Sequence, residues 1–179
     1  MPDTILLLGD PRLRRVSEPV VDFGDETFAA ATRRLATTLA AFRERNGFGR
    51  AMSAPQLGVA LRVIVLSLPG APPVVVNPEV TWRSHDTFTM WDDCMSFPSL
   101  LVRVRRYESI SLRYADERGE VHTLASLPRA ASELLQHEID HLDGVLALDR
   151  ALDREAIVHR DVYAGNRDWF RAQVDYVIY

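Results

Sequence analysis

Residues 127–142 read LPRAASELLQHEIDHL, and this stretch decides the fold. Pro128 in the first turn, a periodic apolar face and Gly144 just past the end mark a helix from about Leu127 to Leu142, with Ser126 as its N-cap. The spacing of His137 and His141 puts two imidazoles on one face of that helix, within reach of a single ion. Glu138 then lies beside any water the ion holds. Two histidines can share a solvated face by accident, but the apolar periodicity makes this helix largely buried.

A hydrolytic metal site needs three protein ligands and an open position for water, so a third ligand has to be found. Two sources compete: Cys94 far upstream, or a downstream acid or histidine such as Glu155 or His159. The stretch Trp91-Asp92-Asp93-Cys94-Met95-Ser96 places the only cysteine between acids and a serine. A structural cysteine would instead hide in an apolar strand. These flanks favour Cys94. One thiolate and two neutral imidazoles would leave a divalent ion with net charge +1, enough to activate water. Such a set tolerates iron, nickel, cobalt or zinc.

Outward from this helix the chain reads as follows. Leu6 to Val20 is punctuated by Pro, Gly and Arg and reads as an extended arm or loops. Asp25 to Arg45 places Phe28, Ala31, Leu35, Leu39 and Phe42 at helical spacing, with acids at the start and basic residues near the end. Asn46-Gly47 breaks that helix, and a glycine-containing stretch runs on to Gly58. Arg62 to Leu68 carries Val63-Ile64-Val65-Leu66, a buried strand, and Val74 to Val80 repeats the pattern after Pro72-Pro73. Val102 to Val104, Ser109 to Tyr114 and Val121 to Leu124 read as further strands, with a turn at Glu117 to Glu120, and together favour an antiparallel or mixed sheet. From Asp149 onward a short helix and then irregular chain is expected, anchored by Trp169, Phe170 and Tyr176.

The 179 residues, 47% hydrophobic and 26% charged, suit one domain over 1–179. A net charge of −4 gives no footprint for nucleic acid, and no basic run suggests a membrane-surface helix. The apolar run Ile5 to Leu8 is too short for a signal peptide or a span, so a cytoplasmic location is expected. One cysteine excludes an internal disulfide.

Three motifs, Ala54-Pro55-Gln56 after a glycine loop, Cys94-Met95-Ser96, and Gln136-His137-Glu138-Ile139-Asp140-His141-Leu142, occur in an order and spacing that resemble the peptide deformylases. The resemblance extends to Gly9-Asp10-Pro11-Arg12-Leu13-Arg14, Asn77-Pro78 and Gly144-Val145-Leu146, and covers about residues 5 to 150. It implies an α+β fold with antiparallel sheets around a central metal-binding helix. It also implies removal of formyl groups from the N-termini of new proteins, with ferrous iron as the usual ion. Carried over by position, Cys94, His137 and His141 are the metal ligands and Glu138 the general acid/base. Gln56 and the backbone N–H of Met95 stabilise the oxyanion. The partner is an N-formylated peptide or a small formylated amide.

The substrate cradle departs from the family pattern. Aligned backward from Gln56, the chain reads Gly49-Arg50-Ala51-Met52-Ser53, with Arg50 in place of an apolar residue and Ala51 in place of a glycine. The second motif normally opens with Glu-Gly. Here it is Asp92-Asp93, and a charged Asp93 threatens the close approach of a peptide strand that glycine permits. Glu133, one turn before His137, also replaces an apolar residue, and Ala130 a larger one. In the family the positions of Arg50 and Glu133 help line the pocket for the methionine side chain. Here they carry opposite charges and are expected to pair across it, disfavouring formyl-methionine and favouring a small or polar first residue. The plainer reading leaves Glu133 turned to solvent and Arg50 snorkelling out of an apolar pocket.

Two other functions compete: an ordinary zinc protease, and a metal-retaining paralogue that binds a ligand or partner without deformylating formyl-Met peptides. Family members can also dock on the ribosome through a basic C-terminal segment. Residues 168–179 hold one Arg and two Asp, which predicts weak ribosome association.

Overall fold

The run Val63-Ile64-Val65-Leu66 is apolar at every position because the strand it forms is covered on both faces. The computed structural model describes residues 2–178. Its strands are β1 (Ala51–Ser53), β2 (Val63–Leu66), β3 (Val74–Arg83), β4 (Thr87–Asp93), β5 (Leu100–Tyr107), β6 (Ile110–Ala115), β7 (Val121–Leu124) and β8 (Ile157–His159). Its α-helices are α1 (Glu26–Asn46), α2 (Arg129–Leu142), α3 (Arg160–Gly165) and α4 (Arg167–Arg171). One sheet has the order β1-β2-β3-β6-β7 and the other β4-β5-β8, with every pairing of neighbours antiparallel.

Alternation along β2 and β3 assigns the two faces of the larger sheet. Val63, Val65, Val74 and Val76 pack with Phe28, Leu35 and Leu39 of α1. Ile64, Leu66 and Val75 pack with Leu134, Leu135, Ile139 and Leu142 of α2. Asp25 caps α1 by accepting from the Thr27 N–H, and Gly47 ends it in the left-handed conformation. Helix α2 touches β1 of one sheet and β5 of the other, so it lies between them and buries both histidines.

The N-terminal arm ties the three motifs together through backbone hydrogen bonds. Leu6 N–H donates to the Gln56 carbonyl, Leu8 N–H to Ser96 and Ser17 N–H to Leu142, each at 2.8 Å. Asn77 holds the same arm, accepting from Val20 N–H and donating to Val20 O, both at 2.8 Å. At the far end of α2, Gly144 has φ +72°, and a Cβ there would lie 2.5 Å from the Arg14 carbonyl oxygen. Only glycine lets the arm cross at this point.

Several local expectations are corrected. Ser126 does not cap α2: it has φ +48° and its N–H bonds Ser111 Oγ. The helix starts after Pro128, which is extended and has no side-chain cap to offer. Strands β1, β4 and β8 are additional to those read from sequence, and β5 is longer. The C-terminal part is a strand and two short helices. Phe170 of α4 is buried against Trp91, but the neighbouring Trp169 is 65% exposed. Adjacent helical side chains point about 100° apart, so with Phe170 turned inward Trp169 lies at the surface, edge-on to the Phe170 ring at 4.7 Å.

Candidate metal centre

Helix α2 delivers His137 and His141 with ring centroids 5.0 Å apart, and the chain leaving β4 delivers Cys94 to the same point. One donor atom from each of the three lies within 4.8 Å of the others, and all three residues are buried. Cys94 Sγ is 3.3 Å from His141 Nε2. A tetrahedral ion with ordinary metal–sulfur and metal–nitrogen lengths would separate two such donors by about 3.6 Å. The donor set therefore fits a divalent ion. Glu155 and His159, the competing third ligands, are both exposed and lie outside this group. A second cluster of possible donors, Asp116, Glu120 and His122, is a capped turn: Asp116 accepts from the backbone of Arg118 and Glu120 and pairs with His122.

A chain of charges orients His137 from behind. Its Nδ1 lies 3.0 Å from Asp92 Oδ2, and the same oxygen accepts from Arg106 at 2.9 Å. Arg106 also donates to Asp140 at 2.5 Å, and Arg150 binds Asp140 through two nitrogens. Asp92, Arg106 and Asp140 are all buried. Burial would push Asp92 up, yet His137 and Arg106 hold it well below the usual carboxylate range. Burial alone would lower His137, but the Asp92 charge outweighs it and raises the imidazole well above its ordinary value. His141 is driven the other way, by burial and then by the neighbouring His137 charge. With Asp92 on Nδ1, Nε2 of His137 is left to face the ion, the arrangement that fixes tautomer and ring angle in metal sites. His141 Nδ1 is buried with no hydrogen-bond partner among the described residues.

The groups expected to act on substrate surround this centre. Glu138 is buried, and its carboxyl is raised above the usual range by burial, which His137 partly offsets. Ser53 Oγ contacts both the carboxylate and the backbone carbonyl of Glu138, so β1 pins the side chain. Gln56 accepts from Ser53 N–H at 3.0 Å through Oε1, which turns its Nε2 toward Cys94 Sγ at 3.7 Å and Ser96 Oγ at 3.3 Å. The Ser96 N–H also reaches Cys94 Sγ, at 3.4 Å. Ser53 and Asp92 are functional neighbours that the sequence reading did not single out. A serine three residues before Gln56, on a strand too short for a periodicity signal, offered little to detect.

The altered cradle residues fall in the same place. Arg50 and Glu133 pair at 2.6 Å, with Glu133 only 1% exposed and Arg50 23%. The alternative with Glu133 in solvent is thereby excluded. Burial pushes Glu133 up to about 7 against the opposing pull of Arg50. Both line a cavity of about 40 Å³ that also holds Cys94, His137, Glu138 and Gln56. Ala51 is buried on β1 and lines it too. Asp93, expected to disturb a substrate strand, is held by Arg160 at 3.0 Å, and Arg160 stacks over the Phe48 ring at 5.0 Å. The segment after residue 156 thus draws the Asp93 charge to one side.

Comparison with known proteins matches residues 2–156 to the family model described as polypeptide deformylase. A peptide deformylase from Thermotoga maritima is 35% identical over 146 residues, 82% of this chain and 85% of that protein. The crystal structure of peptide deformylase from Thermotoga maritima aligns with a TM-score of 0.77 and 33% identity, over 86% of this chain and 99% of that one. A peptide deformylase from Synechococcus elongatus, solved in complex with actinonin, aligns with a TM-score of 0.78 and 30% identity, over 87% and 81%.

Proposed function

The chain belongs to the polypeptide deformylase family, and from that premise we propose how its own residues carry out the hydrolysis of an N-formyl group from the N-terminus of a peptide. One observation carries the assignment of roles: Cys94, His137 and His141 converge on one point, and the buried Glu138 lines the same cavity. A divalent ion bound by those three residues would supply Lewis acidity toward water and the formyl oxygen. We propose ferrous iron as the resident ion; zinc, nickel and cobalt suit the same mixed thiolate and imidazole set.

Glu138 is the general base and then the general acid. Its carboxylate takes a proton from the attacking water, the water oxygen bonds to the formyl carbon, and the same proton passes to the amine nitrogen as the C–N bond breaks. Formate and a free amine result. A carboxyl raised by burial suits the first half of this cycle, because it binds the proton more tightly than an ordinary carboxylate does. Ser53 holds that carboxylate in place. The Gln56 side-chain N–H and the Met95 backbone N–H face the charge that develops on the formyl oxygen. Gln56 is suited to this because its carbonyl end is already engaged by Ser53 N–H and its amide cannot turn over without losing that bond.

The shared position of α2 between both sheets supports reading 1–179 as a single metallohydrolase domain. Among the described residues no helix is long and apolar enough to cross a membrane, and we propose a cytoplasmic location. The net charge of −4 does not favour nucleic acid as a partner. The ordinary protease and the non-catalytic paralogue are not favoured. Formate release from a panel of formylated peptides, with Glu138→Gln as the inactive control, tests the reading. Wild-type turnover with loss in the variant is expected; no formate from any substrate would overturn it.

A further inference from the structure

We propose that the Arg50–Glu133 ion pair is the closed floor of the subsite beside the metal centre and restricts turnover to formylated amides whose first residue has a small, uncharged side chain. The inference rests on the deformylase reading above and names the substrate class of that site.

The formyl carbon must reach the point where Cys94, His137, His141 and Glu138 converge. The Cα of the formylated residue is only two bonds from that carbon, so its side chain has to enter the same cavity. That cavity is small, about 40 Å³, and Arg50 and Glu133 form part of its wall. An ion, an attacking water and the formyl oxygen would have to share it. A hydrogen, a methyl or a hydroxymethyl group makes a small further demand on that space; a four-atom side chain makes a large one.

The floor does not yield easily. Glu133 is 1% exposed and paired with Arg50 at 2.6 Å, and Arg50 Nη1 also donates to the Ala130 carbonyl at 3.2 Å. Swinging Arg50 away to admit a longer side chain would leave a buried carboxylate without its cation, which is costly. Arg50 and Glu133 already have each other as partners, so an incoming charged side chain would have to displace one of them. Small neutral groups remain. A long apolar side chain loses the burial it would gain in an apolar pocket, about ten- to hundredfold in affinity.

The test uses the metal-loaded protein and two readouts. Calorimetry measures binding of three peptide hydroxamic acids that differ only in the side chain next to the chelating carbonyl: methyl, hydroxymethyl or n-butyl. Formate release gives kcat/KM for formyl-Ala, formyl-Ser and formyl-Met peptides. The wild type is expected to bind the methyl and hydroxymethyl compounds at least tenfold more tightly than the butyl one, with the same order in kcat/KM. Arg50→Ile with Glu133→Ile is expected to reverse that order, with its melting temperature checking that it folds. Should the double variant not fold, the wild-type order alone decides. Butyl binding as tight as methyl, or tighter, overturns the proposal even if formyl-Met is deformylated. The expected hydroxamate order with no formate from any peptide would sustain the subsite and sink the deformylase reading instead.

Discussion

The Nδ1 of His137 lies 3.0 Å from Asp92 Oδ2, the same oxygen that accepts from Arg106 at 2.9 Å. This contact ties His137 on α2 to the end of β4 just before Cys94, so one aspartate links both parts of the candidate metal site. Outer partners of this kind typically contribute ten- to a hundredfold to metal affinity, on the order of 10–100 by mutation. Asp92→Asn is expected to weaken metal retention by about that factor, measured by competition with a chelator. Unchanged affinity would mean that the Asp92 contact plays no part in holding the ion.

Ser53 makes a separate prediction. Its hydroxyl reaches the carboxylate and backbone carbonyl of Glu138 from β1, rather than the donor atoms of Cys94, His137 or His141. Ser53→Ala should therefore keep the metal. A hydrogen bond to a charged group is worth about 1.5 to 3 kcal/mol, so kcat should fall about ten- to a hundredfold with KM little changed. A loss of metal, or a rise in KM alone, would contradict a positioning role for Ser53.

The limits of reading this chain as a sequence are physical ones. Helix α1 and strands β2 and β3 were readable because their side chains answer to burial alone, with period 3.6 in one and apolar residues throughout the others. Strand β4 was not. Its inward positions are Phe88, Met90 and Asp92, and the third is a carboxylate placed to orient His137, so the alternation breaks where the strand enters the site. Strand β1 has three residues, all buried, too few for any period. The convergence of Cys94, His137 and His141 on one point was readable, since metal chemistry restricts residue type more tightly than packing does. The pairing of Arg50 with Glu133 was readable as a charge conflict, because two opposite charges in apolar positions have few ways to be buried.

Glu133 predicts a pH dependence of stability. Its carboxyl is raised from 4.5 to about 7 in the folded protein, by burial and against the pull of Arg50. The folded state therefore binds this proton more tightly than the unfolded one. The associated stability is fully present below about pH 4.5 and is lost as pH rises through about 7. Relative to Glu133→Gln, which does not titrate, the wild type should lose on the order of 2 to 3 kcal/mol between pH 5 and pH 8. Denaturant midpoints at the two pH values measure it, and parallel behaviour of the two proteins would refute it.

Residues 168–179 carry one Arg against two Asp, so this segment is expected to contribute little affinity for ribosomal RNA. Co-sedimentation at low and moderate salt checks this. Tight binding that falls steeply with salt would contradict it.

The central claim is that Cys94, His137 and His141 hold one divalent ion and that Glu138 moves the proton. Elemental analysis beside formate release tests it most directly. Replacing any one of the three ligands by alanine should abolish both metal and turnover, whereas Glu138→Gln should keep full metal and lose turnover. Full metal occupancy in Cys94→Ala, or undiminished formate release by Glu138→Gln, would contradict the account.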